Sequence, residues 1–305
     1  LNNCSLMVRR PALEMIDYIQ HVDLNKPVVK AFFYGRNGCG KSTSLSHVIH
    51  YCGKAGFLIV NIRFPSALVQ SYTGYEASTY KDGRIDHPKD AMEWLIQFQS
   101  QNSHLLKDLK ISKDCIWNKR ESSPAGTSFS ELVEFCINRN TYASDCVAIL
   151  LREIKKLACD KKIKVLVSVD GINGLFRECV MRNENKKLIM NEDITLIRSF
   201  RKIIQTNWTN GFIVGTIDEL ANEPGLRGSY TPNFVLGKKG FECLDPFIPV
   251  LVTKYNTKEM YNCLQYYQDY NWLQHPSSKT KKGLDEIIFL SDYNPYTLTR
   301  VCGSR

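Results

Sequence analysis

A chain of 305 residues, 43% hydrophobic and 23% charged, is long enough for one large core and a smaller second one. No apolar run approaches the ~20 residues that span a bilayer. Eleven cysteines without a C-x-x-C pair argue against a zinc site or a secreted disulfide framework. The formal net charge of +9 points towards a polyanionic partner.

In chain order, residues 28–34 are β-branched and aromatic, as a buried strand should be. Gly35-Arg36-Asn37-Gly38-Cys39-Gly40-Lys41-Ser42 follows, a complete G-x-x-x-x-G-K-[ST] phosphate-binding loop, and residues 42–51 can continue as a helix. Its glycines let successive N–H groups turn inward as an anion nest, and the helix adds its positive end. Lys41 supplies a mobile charge and the Ser42 hydroxyl can hold Mg²⁺. Cys39 stands where a helix N-terminus favours a thiolate, or is only a small residue that fits.

Residues 57–62 form a second strand after Gly53 and Gly56, and Pro88 can start a helix carrying Met92, Leu95, Ile96 and Phe98. Residues 108–128 are polar, with a loop at 122–126. Asp145 can cap a helix whose Val147, Leu150, Leu151, Ile154 and Leu157 share one face. Strands at 164–170, 212–216 and 247–253 complete the alternation, with a helix at 193–204 between the first two. This pattern implies an α/β fold, a parallel sheet flanked by helices.

Beyond Thr253 only helices are expected. Asn256-Thr257-Lys258-Glu259 reads as a capping box opening an aromatic-rich helix to Trp272, and helices at 281–291 and 295–302 follow a polar linker. Two domains are expected: a P-loop nucleotide-binding domain over 1–254, including an N-terminal lead-in, and a small helical lid over 255–305.

Asp170, ending an apolar strand, fits the carboxylate that orients Mg²⁺ beside such a loop. The next residue is Gly171, where hydrolysing AAA+ proteins typically carry glutamate, so slow or absent hydrolysis is expected. Thr216 is either a γ-phosphate sensor or a buried hydroxyl bonded to backbone. Asp218 and Glu219 are candidates to replace the missing base. Arg300, following Asn294-Pro295-Tyr296-Thr297-Leu298, can reach phosphate or lie on the surface. Chemistry alone leaves adenine and guanine open, and the 8–11 region is the expected neighbourhood of the base.

Basic residues gather at Lys155-Lys156, Lys161-Lys162-Lys164, Lys238-Lys239 and Lys279-Lys281-Lys282, with Trp117-Asn118-Lys119-Arg120 apart. Each alone reads as a solvated face. Together they support nucleic-acid contact through phosphates and shape.

Several segments point to one family. They are Leu6-Met7-Val8-Arg9-Arg10-Pro11-Ala12-Leu13-Glu14, His47-Val48-Ile49-His50, Trp117-Asn118-Lys119-Arg120-Glu121-Ser122, Val169-Asp170-Gly171-Ile172-Asn173, Leu244-Asp245-Pro246-Phe247-Ile248-Pro249 and Asn271-Trp272-Leu273-Gln274-His275. Together they resemble the death-associated protein 3 family, P-loop GTP-binding proteins of the mitochondrial ribosomal small subunit. The resemblance implies an AAA+-like fold, a place in the small-subunit head, contacts with ribosomal RNA and neighbouring proteins, and a mitochondrial matrix address. The chain opens at Leu1 rather than Met, so the lack of a targeting segment in it says nothing about compartment and is consistent with that address.

A bound GTP or GDP with Mg²⁺ is also implied, held by Gly35, Arg36, Asn37, Gly38, Cys39, Gly40, Lys41, Ser42 and Thr43, with Ser42 and Asp170 as the metal partners. Arg36, Asn37 and Cys39 matter there only through their backbone N–H groups. The family is linked to apoptosis as well. The rival expectation is an active AAA+-like or signalling NTPase switch outside the ribosome. A metabolic kinase needs a substrate-binding acid or lid arginine pair that the sequence does not assign.

Overall fold

The computed structural model describes residues 5–70, 74–179, 182, 186, 188–222 and 228–303. Five parallel strands form its centre: β1 (Val29–Tyr34), β2 (Leu58–Arg63), β3 (Val165–Asp170), β4 (Gly211–Thr216) and β5 (Ile248–Leu251). Their spatial order is β2, β3, β4, β1, β5. The β4 strand stands between β1 and β3, so the strand that leads into residues 35–42 and the strand that ends in Asp170 are not neighbours.

Both faces are covered, so each strand is apolar on both sides. Val165, Val167 and Val169 of β3 enter one core and Leu166 the other. The second core is filled by α1 (Arg10–His21) and α2 (Lys41–Lys54), through Met15, Ile16, Ile19, Leu45 and Val48. On the opposite face lie α3 (Pro88–Asn102), α4 (Phe129–Asn138), α5 (Ala143–Cys159), α6 (Thr195–Ile203) and α7 (Pro232–Leu244). The last three helices, α8 (Thr257–Asp269), α9 (Lys281–Ser291) and α10 (Pro295–Cys302), close on a core of their own. Met260, Leu264, Leu273, Ile288 and Leu298 fill it. Among the described residues, no helix is long and apolar enough to cross a membrane.

The sheet edges are handled differently. On β2, residues 59 and 61 turn their backbone groups outward. Asn102 of α3 accepts the Ile59 N–H at 2.8 Å and donates to the Ile59 carbonyl at 2.9 Å, while Trp94 Nε1 donates to the Asn61 carbonyl at 2.8 Å. The β5 edge carries Pro249, which has no N–H to offer. That strand is shorter than the expected 247–253.

Three of the helices named above stand outside the expected elements, as does the single helical turn Ala67–Gln70. The α1 and α7 helices have proline in the first turn, and α4 has a complete Ser128/Glu131 capping box. Asp145 is not a cap, because α5 begins two residues earlier and places it in the first turn. The Trp117 segment is a tied turn. Its indole N–H donates to Ser123 Oγ at 2.9 Å, its ring lies 5.5 Å from Tyr142, and Asn118 Oδ1 accepts the N–H groups of Arg120 and Glu121.

Burial and the neighbouring Asp86 raise the Asp145 carboxyl to about 6, with Arg84 opposing. An unfolded aspartate titrates near ~4. Its folded-state penalty is therefore absent below about pH 4, grows as pH rises, and is complete once the folded group has ionised. Asp145→Asn is expected to raise the melting temperature at pH 8 and leave it unchanged at pH 4. Equal loss at both pH values would mean that the carboxylate makes a bond the fold requires.

Candidate nucleotide site

The phosphate loop leaves β1 and enters α2 through three residues with positive φ: Gly35 (147°), Gly38 (79°) and Gly40 (93°). Their lack of side chains also permits close approach. A Cβ on Gly35 would come within 2.2 Å of the Val252 carbonyl oxygen, and one on Gly38 within 2.5 Å of Asn294 Oδ1. Gly40 caps α2, whose first N–H groups have no helical acceptor. Lys41 is buried, and its Nζ donates to the carbonyls of Gly35 (2.9 Å) and Arg36 (3.2 Å), which keeps the charge at the mouth of the loop.

Asp170 ends β3 beside α2. Its Oδ1 accepts from Ser42 Oγ at 3.0 Å and from Thr216 Oγ1 at 2.5 Å. Thr216 is fully buried and in turn accepts the Gly171 N–H at 2.8 Å. Its hydroxyl proton is committed to Asp170, so it positions that carboxylate. The side chains of Ser42 and Asp170 are thus adjacent hard-oxygen donors. Among the described residues, no group of three or more His, Cys, Asp or Glu is arranged to hold a metal. A two-donor site suits Mg²⁺, which retains waters and takes substrate phosphate oxygens as its remaining ligands. The residues present therefore fit a Mg²⁺-nucleotide.

The lid closes directly on the loop. Asn294 caps α10 and donates from Nδ2 to the Asn37 carbonyl at 2.9 Å, and the Tyr296 N–H donates to the Gly38 carbonyl at 3.1 Å. Between loop and lid lies a cavity of about 350 Å³, lined by residues 37, 38 and 40–43, Asp218, Tyr255, Pro295, Tyr296 and Thr299. Arg300 does not reach the loop. It lies over the Tyr296 ring at 5.9 Å and borders a separate surface hollow with Thr297, Val301 and Gly303.

Arg9 braces this junction. Nη1 donates to the Cys39 carbonyl (2.7 Å), Nη2 to the Thr253 carbonyl (3.0 Å), and Nε to Glu259 Oε1 (3.0 Å). The guanidinium also stacks on the Tyr255 ring at 4.9 Å. The 8–11 region thus comes to the site through Arg9, whereas Val8 faces solvent. Cys39 is buried, and desolvation pushes its thiol up despite Lys41 and Arg9 nearby, so it packs as a small residue. Asp218 lines the cavity, and Glu219 accepts the Asn37 N–H. The sequence marks Arg9 only as part of the 8–11 region, Glu259 only as part of a capping box and Tyr296 only within the 294–298 turn; their contacts, and that of Tyr255, arise across the chain.

Residues 6–301 match the family model described as mitochondrial ribosomal death-associated protein 3. The chain belongs to this family. It is 40% identical over 301 residues to the Bos taurus small ribosomal subunit protein mS29, covering 99% of this chain and 76% of that protein. It is 36% identical over 299 residues to the Mus musculus protein of that name, covering 98% and 76%. Solved structures similar to it include the Aeropyrum pernix ORC1 protein in complex with DNA (12% identity, 98% of this chain and 60% of that one, TM-score 0.41). Another is Cdc6p of Pyrobaculum aerophilum (10%, 87% and 50%, TM-score 0.38). The chain spans half to three fifths of those two.

Within this family member, the Arg9–Glu259 pair is largely withdrawn from water, so removing one partner leaves the other uncompensated. Arg9→Met is expected to lower unfolding stability by about 3 kcal/mol in urea titration. A change within ~0.5 kcal/mol, the range of ordinary surface substitutions, would show that the brace is dispensable.

Proposed function

We propose that this chain is a structural protein of the mitochondrial ribosomal small subunit, in its head, and holds a guanine nucleotide with Mg²⁺ as a mainly structural cofactor. The ribosomal assignment and the mitochondrial matrix address follow from the family and from its relatives' name. The guanine base rests on the resemblance seen in the sequence. We attach no apoptotic role to the residues described.

The observation that carries the cofactor reading is the pairing of a complete loop–Asp170 donor set with glycine at the next position. Gly171 has no side chain, so the position after Asp170 offers no carboxylate to activate water, and its N–H is fixed on Thr216. Loop N–H groups and the start of α2 would hold phosphate oxygens, Lys41 would balance their charge, and Ser42 and Asp170 would hold the metal. Bound Mg²⁺ supplies charge neutralisation for the phosphates. A ligand in the cavity would touch the loop and the lid together, stabilising their contact by mass action. Asp218 lines the same cavity and is the base an active switch would have to use.

Contact with ribosomal RNA would be made by exposed lysines. Lys155 is committed to the Lys202 carbonyl and Asn207, and Lys239 pairs with Glu192. Lys161, Lys162, Lys279, Lys281 and Lys282 are exposed and available for phosphate.

Nucleotide released on denaturing the purified protein, read by chromatography after prolonged incubation, tests the reading. Unchanged guanine nucleotide is expected, and steady formation of diphosphate from triphosphate would favour the switch. Asp170→Asn should weaken binding in Mg²⁺ by about tenfold or more while altering Mg²⁺-free binding little. Equal losses in both conditions would remove the metal role.

A further inference from the structure

One backbone donor of the phosphate loop is already occupied by the protein's own negative charge. Glu219, in the turn after β4, accepts the Asn37 N–H through Oε1. The turn is held in place from below: buried Asn173 donates to the Asp218 carbonyl at 2.8 Å and accepts the Asp218 N–H at 3.1 Å. From the lid side, Asn294 holds the Asn37 carbonyl. Both polar groups of the Asn37 peptide region are therefore in use.

The location of this contact along a bound phosphate chain follows from Lys41. In loops of this type the backbone cradles the inner phosphates and the lysine reaches the outer ones. Lys41 Nζ sits at the carbonyls of Gly35 and Arg36, so the outer end of the chain comes to the strand end of the loop, beside Asn37. Asp218 also lines the cavity beside Asn37. Nearby cations are engaged elsewhere. Arg36 lies over the Tyr230 ring at 5.8 Å, and Lys254 pairs with Asp292. A third phosphoryl group would add negative charge opposite Glu219 and would have to displace it to gain the Asn37 N–H. A diphosphate stops short of that contact.

We infer that Glu219 makes the loop select a nucleoside diphosphate over the corresponding triphosphate; this rests on the nucleotide-binding reading above. Glu219 lines the neighbouring hollow with Arg36, Tyr230 and Lys254, and its carboxylate holds from there the Asn37 N–H that an outermost phosphate would otherwise take. It also keeps the site in one state even with Asp218 lining the cavity, because the ligand it favours has no terminal phosphoryl group to lose.

The test is titration of nucleotide-free protein, in Mg²⁺, with GDP and the non-hydrolysable triphosphate analogue GMP-PNP, with ADP and AMP-PNP beside them. The wild type should bind the diphosphate of its preferred base at least about tenfold more tightly, and Glu219→Gln should narrow that ratio by about tenfold. An equal ratio in wild type and Glu219→Gln overturns the inference, as does a wild-type preference for the triphosphate analogue. Selective binding of the adenine pair would refute the guanine reading while leaving the diphosphate preference measurable. Failure of the wild type to bind any of the four would refute nucleotide binding and the inference with it. Nucleotide released from wild-type protein purified without exchange gives a check that needs no variant. Diphosphate is expected, and triphosphate overturns the assignment.

Discussion

The guanidinium of Arg9 is the point on which the arrangement of loop, sheet and lid depends. Its donors end on the phosphate loop, on the strand-to-lid linker and on Glu259 of α8. Burying such a cation is unfavourable unless its hydrogen bonds are satisfied and an opposite charge is near. Here both conditions are met by segments 30 to 250 residues away, so the charge is comfortable only when all of them are in place. Glu259 contributes twice, since Oε2 also accepts the Asn256 N–H that completes the cap of α8. The start of the lid and the fixing of the loop are consequently one electrostatic event. The shape of the cavity between loop and lid follows from it.

Inside that frame, the site shows desolvation prevailing over local charge. Cys39 has Lys41, Arg9, Lys254 and Arg36 around it and still holds its proton more tightly than a free thiol. A helix N-terminus acts on groups that remain solvated enough to ionise, and Cys39 faces the apolar core between α1 and α2 instead. Thr216 shows a related effect. Once buried, its hydroxyl must find partners, and its two bonds fix Asp170 and the backbone after it. Positioning of the carboxylate is thus a consequence of satisfying a buried polar group.

Much of this was legible in the sequence, for physical reasons that also mark where legibility ends. The strands at 165–170 and 211–216 are apolar on both faces and flanked by polar turns, so composition alone reveals them. The lid helices carry their caps in sequence, as at Asn256 and Asn294. The α7 helix is interrupted by Gly237, with φ of 61° inside it, and such a break erases periodicity. The α4 helix is only 10 residues long, and its Ser128-x-x-Glu131 box was the readable signal. Ser42 and Asp170 belong to recognised spacings, and the structure brings them within 3.0 Å. Arg9, Tyr296 and Glu219 lie in segments the sequence singled out, but the bonds they make form only when distant segments meet, and no local pattern encodes those.

The closed edge of β2 bears on how such a protein can live within a crowded assembly. A sheet ending in unpaired amides and carbonyls is a template, ready to extend onto any strand-like segment of a neighbour. The Asn102 amide presents donor and acceptor to Ile59 as one peptide unit of an additional strand would, and the Trp94 indole satisfies the next outward carbonyl. Because these groups belong to α3, the seal forms as the helix packs, without another chain. A newly made copy that has folded this far no longer polymerises through that edge. Partners that approach on that side must then be recognised by side-chain surfaces, which allows binding to be specific.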